Sequence, residues 1–140
     1  MKRILLFVTA IAAVLASCGI KAEAKSEKTS VMSFNIRLQT AADTGKLNWE
    51  SRKIGCVKAI RKHHPDILGL QEASTGQKSF MMKELTSYIM IDGSTKPGTL
   101  DESSESGSNP IFFRADRFEL LDYGSFWLNE DQTPEKKGWD

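Results

Sequence analysis

This sequence contains little cysteine and almost no excess of positive or negative charge. Only 2 of its 140 residues are cysteine, which excludes a disulfide-stapled scaffold and a cysteine-rich zinc module. Lys and Arg total 19 and Asp and Glu total 18, so no overall basic charge attracts nucleic acid or anionic lipid. The composition, 40% hydrophobic and 26% charged, is typical of a globular protein. The length of 140 residues favours one domain and nearly excludes a second complete domain. Because the charges nearly balance, any site for a phosphate group would have to be formed by a local group of side chains.

Long hydrophobic runs are missing too, apart from one at the N-terminus. Lys2 and Arg3 precede the apolar run 4–16, which is short for a membrane span and typical of a secretory signal. The run ends in Leu15-Ala16-Ser17-Cys18, which resembles a bacterial lipobox with Cys18 as the lipidated residue. We therefore expect a signal peptide at 1–17, a solvated tether at 18–28 and a domain at 29–140. The protein would be lipid-anchored to a bacterial membrane in the cell envelope, facing the periplasm or the surface. The alternative is an ordinary cleaved signal with an incidental cysteine.

The chain after the tether predicts a series of strands and helices. Residues 31–38 and 66–72 are rich in strand formers and flank a helix predicted at 49–63, which Asn48 caps and Pro65 stops. Together they predict a right-handed βαβ unit. A second helix is predicted from about Thr75 to Ser87, and further strands at 88–91, 111–114, 118–121 and 125–128. An irregular segment is expected at 93–110.

The helix predicted at 49–63 is amphipathic. Ile54, Val57 and Ile60 recur every three residues and are expected to face the core. Its basic side chains are expected on the solvent side: Arg52, Lys53, Lys58, Arg61 and Lys62. His63 and His64 are interpreted as cations at the helix C-terminus, and Cys56 as a small buried hydrophobe. In the second helix, Phe80, Met81 and Leu85 are expected to point toward the core.

Asn35 and Glu72 are the polar residues placed where ligands bind in open α/β sheets. Asn35 lies late in the first predicted strand and Glu72 ends the second, and such sheets bind ligands at the carboxyl ends of strands. A divalent cation is one good partner for a glutamate there, because Mg²⁺ takes one or two carboxylates with waters and substrate phosphate oxygens. Asn35 adds a neutral amide that can hold a phosphate oxygen or orient a carboxylate. On spacing alone, an Asn in a turn and a Glu on the surface remain the plainer interpretation.

Three motifs, in this order, resemble the opening of the endonuclease/exonuclease/phosphatase superfamily. They are Ser33-Phe34-Asn35-Ile36-Arg37, Trp49-Glu50-Ser51-Arg52 and Pro65-Asp66-Ile67-Leu68-Gly69-Leu70-Gln71-Glu72. The runs at 109–114, 116–121 and 126–128 resemble a secreted bacterial branch of that superfamily. The likeness covers about 29–140. It implies an α/β (α+β) fold, a four-layer sandwich of two β-sheets flanked by helices, of which this sequence carries the N-terminal half.

The resemblance implies a metal-dependent phosphoesterase that hydrolyses a phosphodiester or phosphomonoester with an activated water. Glu72 matches the family's ligand of the catalytic cation, usually Mg²⁺ with Mn²⁺ as the alternative, and Asn35 matches the Asn that supports metal and phosphate. Gln71 is expected to orient the metal's ligands from the second layer, and Arg37 is a candidate contact for substrate phosphate. The substrate stays open among sugar phosphates, nucleotides, nucleic acid and phospholipid headgroups, although the near-neutral charge disfavours long nucleic acid.

Parts of the family pattern are absent from this sequence. The family's catalytic histidines have no match, since the sequence contains only 2 histidines, His63 and His64. The family's Asp-x-Asn pair has no match either. Gly107 and Ser108 stand where the branch has an acidic residue, with Glu105 nearby. We therefore expect residues 1–140 alone to be an inactive and poorly stable part of a domain. The alternative is a non-catalytic, envelope-anchored binding protein on the same fold.

Overall fold

The computed structural model describes residues 27–93, 96–100, 107–125 and 129–130. Within these ranges the α-helices and β-strands are β1 (Val31–Asn35), α1 (Trp49–His63), β2 (Ile67–Gln71), α2 (Thr75–Glu84), β3 (Tyr88–Ile91) and β4 (Ile111–Arg114), and a short 3-10 helix, Gly45–Leu47, precedes α1. The four strands form one mixed sheet in the order β1-β2-β4-β3, which confirms the α/β class. The signal peptide, Cys18, Glu105 and the strand predicted at 125–128 lie wholly or mainly outside the described residues.

The βαβ unit forms as predicted, with β1 and β2 parallel and Asn35 opposite Gln71. Asn48 caps α1 by accepting a hydrogen bond from the Glu50 N–H at 2.8 Å, and His64 ends the helix in the left-handed region with a φ of 44°. The first strand ends at Asn35, earlier than predicted, because Arg37 has a φ of 60° and turns the chain away from the sheet.

The core lies between one face of the sheet and the two helices. Its sheet side chains include Leu68, Leu70, Met90 and Phe112, and its helix side chains include Trp49, Cys56, Val57, Ile60 and Met81. The prediction that Cys56 is buried is confirmed, whereas Ile54 is 49% exposed. A three-residue repeat drifts by about 60° per step around an α-helix, so Ile54 falls outside the buried stripe that contains Val57 and Ile60. Among the described residues, no helix is both long and apolar enough to cross a membrane.

The second helix is shorter than predicted and ends at Glu84. Ser74 and Gln77 form a reciprocal capping box at its start. Met81 and Leu85 are buried and Phe80 packs against the core, so the predicted inward face is confirmed. Strands β3 and β4 occupy the predicted ranges, and no helix or strand forms among the described residues of 93–110.

Asp66 ties the start of β2 to the start of β1. Its carboxylate accepts hydrogen bonds from the Ser30 N–H at 2.8 Å and from the Ser30 hydroxyl at 2.9 Å. Arg117 contacts the same carboxylate at 2.6 Å, because residues 115–117 form a turn after β4 and bring this side chain back. The strand predicted at 118–121 is therefore wrong, since these residues continue from the turn without joining the sheet.

These contacts predict a pH dependence of stability. The hydrogen bond from the Ser30 N–H, aided by Arg117, lowers the pKa of Asp66 from 3.8 to about 2. A carboxyl group whose pKa is lower in the folded than in the unfolded state stabilises the fold at pH values above its unfolded-state pKa. This stabilisation is lost as the pH falls from about 4 through 2. We expect Asp66→Asn to lower the thermal midpoint of the complete protein by about 4 °C or more at pH 6.

The difference between wild type and Asp66→Asn should shrink as the pH falls from about 4 toward 2, because the Asp66 carboxylate becomes increasingly protonated and the Asn side chain carries no charge at any of these pH values. Thermal melts at pH 6, 4 and 2.5 measure this convergence, with the exposed Glu119→Gln as the control for general charge loss. A difference that stays constant across this range would contradict the account of Asp66.

Candidate active site

The structure brings Asn35 and Glu72 together at the carboxyl end of β1 and β2. Asn35 is the last residue of β1 and pairs with Gln71, which places Glu72 one residue beyond the end of β2. The Asn35 side-chain amide donates to Glu72 Oε1 at 2.8 Å. Both residues are exposed. The predicted position of each residue at the carboxyl end of its strand is therefore confirmed.

The Glu72 carboxylate is held by this chain at both oxygens. Oε1 accepts from Asn35, and Oε2 accepts from the Leu38 N–H at 3.0 Å. These two hydrogen bonds and the charge of Arg37 lower the pKa of Glu72, with the Asn35 bond as the largest cause. Glu72 also has a φ of 58°, an uncommon conformation for a non-glycine residue. The result is an ionised, exposed carboxylate in a defined orientation.

Arg37 is engaged on its main chain and on its side chain. Its N–H donates to Asn35 Oδ1 at 2.8 Å, which fixes the orientation of the Asn35 amide. Its guanidinium forms a forked contact with the buried Asp43 carboxylate, with distances of 3.1 and 2.7 Å. This contact raises the pKa of Arg37 and lowers that of Asp43. The role of Arg37 toward a substrate phosphate stays a prediction.

Gln71 lies on the same sheet face as Asn35, and its side chain turns back along that face. Its amide donates to the Ser33 hydroxyl at 3.2 Å and to the Gly69 carbonyl at 3.1 Å. These contacts hold the side chain over neighbouring strand residues. Its predicted role in orienting metal ligands stays a prediction.

Two residues that sequence reasoning left without a role lie behind Arg37. Arg52, expected on the solvent side of α1, is only partly exposed and donates to the carbonyls of Leu47, Ile36 and Arg37. Gln77 is fully buried and donates to the same Arg37 carbonyl. The Ser-x-x-Gln spacing at 74–77 could have indicated a capping box. The hydrogen bond from Gln77 to the Arg37 carbonyl joins residues 40 positions apart, and no sequence spacing indicates it.

Gly107 packs directly against Glu72. A Cβ at Gly107 would lie 3.4 Å from Glu72 Cα and 2.9 Å from the Leu38 Cδ1 atom. Ser108 exchanges two backbone hydrogen bonds of 3.0 Å with Ala73, the residue after Glu72. The position where the family branch has an acidic residue therefore adjoins the candidate site, and Gly107 leaves no side chain there.

Two cavities have walls near this edge. One of about 600 Å³ is lined by the loop after β1 and the start of α2, including Gln39, Asp43 and Ser74. The other, of about 810 Å³, is lined by residues after β3 and before β4, including Asp92 and Ser108. Both volumes are within the range of small-molecule sites.

The described residues at this edge fit a divalent cation that takes a single carboxylate ligand, Glu72, from this part of the chain. Among the described residues, no group of three or more His, Cys, Asp and Glu side chains could hold a metal. Glu72 is exposed, its pKa is lowered, and each of its oxygens keeps a lone pair beyond the hydrogen bond it accepts. Mg²⁺ binds through one or two carboxylates and completes its shell with waters and phosphate oxygens. Glu72 suits that mode of binding.

His63 and His64 lie away from this edge. They end α1 just before β2 begins, whereas Glu72 follows the end of β2. The His64 ring lies 3.4 Å from the Arg114 guanidinium. The predicted position of the two histidines at the C-terminus of the first helix is confirmed.

No protein-family profile matches the chain, but individual proteins do. The chain is 33% identical to an endonuclease/exonuclease/phosphatase from Bacteroides vulgatus, with a TM-score of 0.65 over 81% of this chain and 42% of that one. It is 30% identical to a mannosyl-6-phosphatase from Bacteroides thetaiotaomicron, with a TM-score of 0.66 over 81% and 41% of the two chains. It is 28% identical over 130 residues to Ccr4 from Emericella nidulans, the 3'-5'-exoribonuclease subunit of the CCR4-Not complex, covering 81% of this chain and 19% of that protein.

The similarity concerns part of a longer protein in each case. The chain spans about two fifths of the length of the two solved structures and about a fifth of the curated relative. The shared part contains both strands of the βαβ unit and the edge with Asn35 and Glu72. Fold and sequence agree with the resemblance of the motifs, and the chain belongs to the endonuclease/exonuclease/phosphatase superfamily.

Proposed function

We propose that the complete protein is a divalent-metal-dependent phosphoesterase whose cation is bound at Glu72. The observation that carries this proposal is the Glu72 carboxylate itself, which is exposed, ionised and oriented by the Asn35 amide and the Leu38 N–H. Two of the similar proteins, a mannosyl-6-phosphatase and a 3'-5'-exoribonuclease, are named for reactions at phosphate esters. These names support the class of reaction.

The residues of this chain have separate tasks in the proposed reaction. Glu72 supplies a negative oxygen ligand, with Mg²⁺ as the expected cation and Mn²⁺ as the alternative. A bound cation of this kind neutralises charge on the transferred phosphoryl group and lowers the pKa of a bound water. Asn35 holds Glu72 Oε1 through its Nδ2 atom, and the Arg37 N–H holds Asn35 Oδ1. The Asn35 amide is thereby fixed in one orientation.

We propose a phosphate ester of a small alcohol, such as a sugar phosphate, as the substrate class. The 19 basic and 18 acidic residues of this sequence nearly balance, so it contributes no overall positive charge toward a long nucleic acid. The Bacteroides mannosyl-6-phosphatase is 30% identical and supports the same choice. Phosphomonoester hydrolysis of a hexose phosphate is therefore the first activity to measure.

A substrate panel tests this proposal on the complete protein. The panel contains a hexose 6-phosphate, a dinucleotide, a short RNA and sphingomyelin, each measured with Mg²⁺ and with excess chelator. We expect chelator-sensitive release of phosphate from the sugar phosphate. Hydrolysis of RNA alone would overturn the substrate class, and chelator-insensitive hydrolysis would overturn metal dependence.

We also propose that the protein is held at a bacterial envelope membrane by a lipid on Cys18, facing the periplasm or the surface. The support is the sequence Leu15-Ala16-Ser17-Cys18 at the end of the apolar run. Cys18→Ala should move most of the protein out of the membrane fraction or leave its precursor unprocessed, as fractionation and intact mass would show. The buried Cys56→Ala is the control, and full membrane retention of Cys18→Ala would contradict the anchor.

A further inference from the structure

The peptide unit between Arg37 and Leu38 is held from both sides. The Leu38 N–H donates to Glu72 Oε2 at 3.0 Å. On the other side, the Arg37 carbonyl accepts from Gln77 Nε2 at 2.9 Å and from Arg52 Nη2 at 3.3 Å. In a trans peptide the carbonyl and the N–H of one unit point in opposite directions, and no cis peptide occurs among the described residues. Donors that fix the Arg37 carbonyl therefore fix the direction of the Leu38 N–H.

This peptide unit follows an uncommon backbone conformation. Arg37 has a φ of 60°, in the left-handed region that non-glycine residues rarely adopt. Such a conformation persists only where surrounding contacts determine it. Here Arg37 is fixed at its N–H by Asn35, at its side chain by Asp43 and at its carbonyl by Gln77 and Arg52.

Gln77 is built into this position. It is 0% exposed, and its Oε1 atom accepts from the Gln39 N–H at 3.1 Å and from the Ser74 N–H at 3.0 Å. Its Nε2 atom is left to donate to the Arg37 carbonyl. One buried amide thus connects the start of α2 to the loop that carries Leu38.

Arg52 reaches the same loop from α1. Its guanidinium donates to the Leu47 carbonyl at 2.6 Å and to the Ile36 carbonyl in addition to that of Arg37. The guanidinium also lies 5.5 Å from the centre of the Trp49 ring. A planar guanidinium holds its donors in a rigid fork and can bind several carbonyls in one fixed geometry, whereas a lysine ammonium is a compact charge on a flexible stem.

We infer that Gln77 and Arg52 are positioning residues that fix the Arg37–Leu38 peptide and so direct the Leu38 N–H at the Glu72 carboxylate. The inference rests on the proposed function, because it assigns these residues to the orientation of the proposed metal ligand. Without them the peptide can rotate, and Glu72 keeps only Asn35 as a donor. The carboxylate then loses its single orientation, and its affinity for Mg²⁺ falls.

Amide hydrogen exchange on the complete protein without metal tests this inference directly. Gln77→Met removes the hydrogen bonds at nearly constant volume, and Met81→Ala is the control for lost packing, since Met81 is 0% exposed on the same helix. We expect the Leu38 N–H to exchange at least tenfold faster in Gln77→Met than in Met81→Ala. Equal Leu38 exchange in the two variants would overturn the inference. Arg52→Lys, at a partly exposed position, should give a smaller acceleration of about threefold.

A second readout separates this inference from the proposed function. In Gln77→Met the Mg²⁺ concentration for half-maximal hydrolysis should rise about tenfold, with kcat at saturating Mg²⁺ changed less than twofold. Met81→Ala should leave the Mg²⁺ requirement unchanged, and an equal rise in that control would count against positioning. If the wild type hydrolyses no phosphate ester, the proposed function fails, and the exchange measurement still decides the role of Gln77.

Discussion

Glu72→Gln should lower phosphate-ester hydrolysis by the complete protein on the order of 100-fold or more. The substitution keeps the size of the side chain and one acceptor oxygen but removes the negative charge that the Asn35 amide and the Leu38 N–H orient. The residue is exposed, so the fold should be retained. Initial rates at saturating substrate and a titration of Mg²⁺ measure the effect, with circular dichroism as the check on folding.

The control for this substitution is Glu119→Gln, which removes a charge from another exposed position. It should leave the rate and the Mg²⁺ requirement within a factor of about two, since surface charges away from a site have small effects. Unchanged hydrolysis by Glu72→Gln at limiting Mg²⁺ would show that Glu72 is not the metal ligand. A loss of fold in Glu72→Gln would also contradict the account, because it would give Glu72 a structural role.

Asp92→Ala should lower the free energy of unfolding by about 3–5 kcal/mol. Lys78 is 1% exposed on α2, and its Nζ atom lies 2.6 Å from Asp92 Oδ2, just after β3. Removing the carboxylate leaves the Lys78 ammonium buried without its ion-pair partner. Urea unfolding of the complete protein, with the midpoint and the slope fitted separately, measures the loss.

The matched control is the exposed ion pair Arg61–Glu84, whose atoms lie 2.9 Å apart. Glu84→Ala should cost less than about 1 kcal/mol, because solvent screens an exposed pair. The double variant Lys78→Met, Asp92→Leu should recover much of the stability lost in Asp92→Ala, since apolar side chains of similar size often replace a buried pair without loss. An equal cost for Asp92→Ala and Glu84→Ala would contradict this account of the buried pair.

The elements of the βαβ unit could be predicted because their signals are local. Asn48 and Pro65 mark the ends of the first helix, and the apolar run before Glu72 is short and bounded by turn residues. Because these boundaries locate the carboxyl ends of two strands of one βαβ unit, they also predict that Asn35 and Glu72 lie at the same edge of the sheet. Their direct contact then follows from parallel strands in the register that pairs Asn35 with Gln71.

The parts that could not be predicted depend on contacts between distant residues. Arg52 has the helical position of a solvent-facing side chain, and only the folded loop after β1 brings carbonyls within its reach. Residues 118–121 have strand composition, but the turn at 115–117 and the contact of Arg117 with Asp66 direct the chain elsewhere. The left-handed conformation of Arg37 and Glu72 has no signal in residue type, because neither is a glycine.

The central claim is that Glu72 binds the cation that the reaction requires. The most direct measurement is Mn²⁺ binding to the complete protein, followed by electron paramagnetic resonance or calorimetry, for wild type and Glu72→Gln. The account predicts binding by wild type that Mg²⁺ displaces, and affinity at least tenfold weaker in Glu72→Gln. Equal affinity in the two proteins would contradict it.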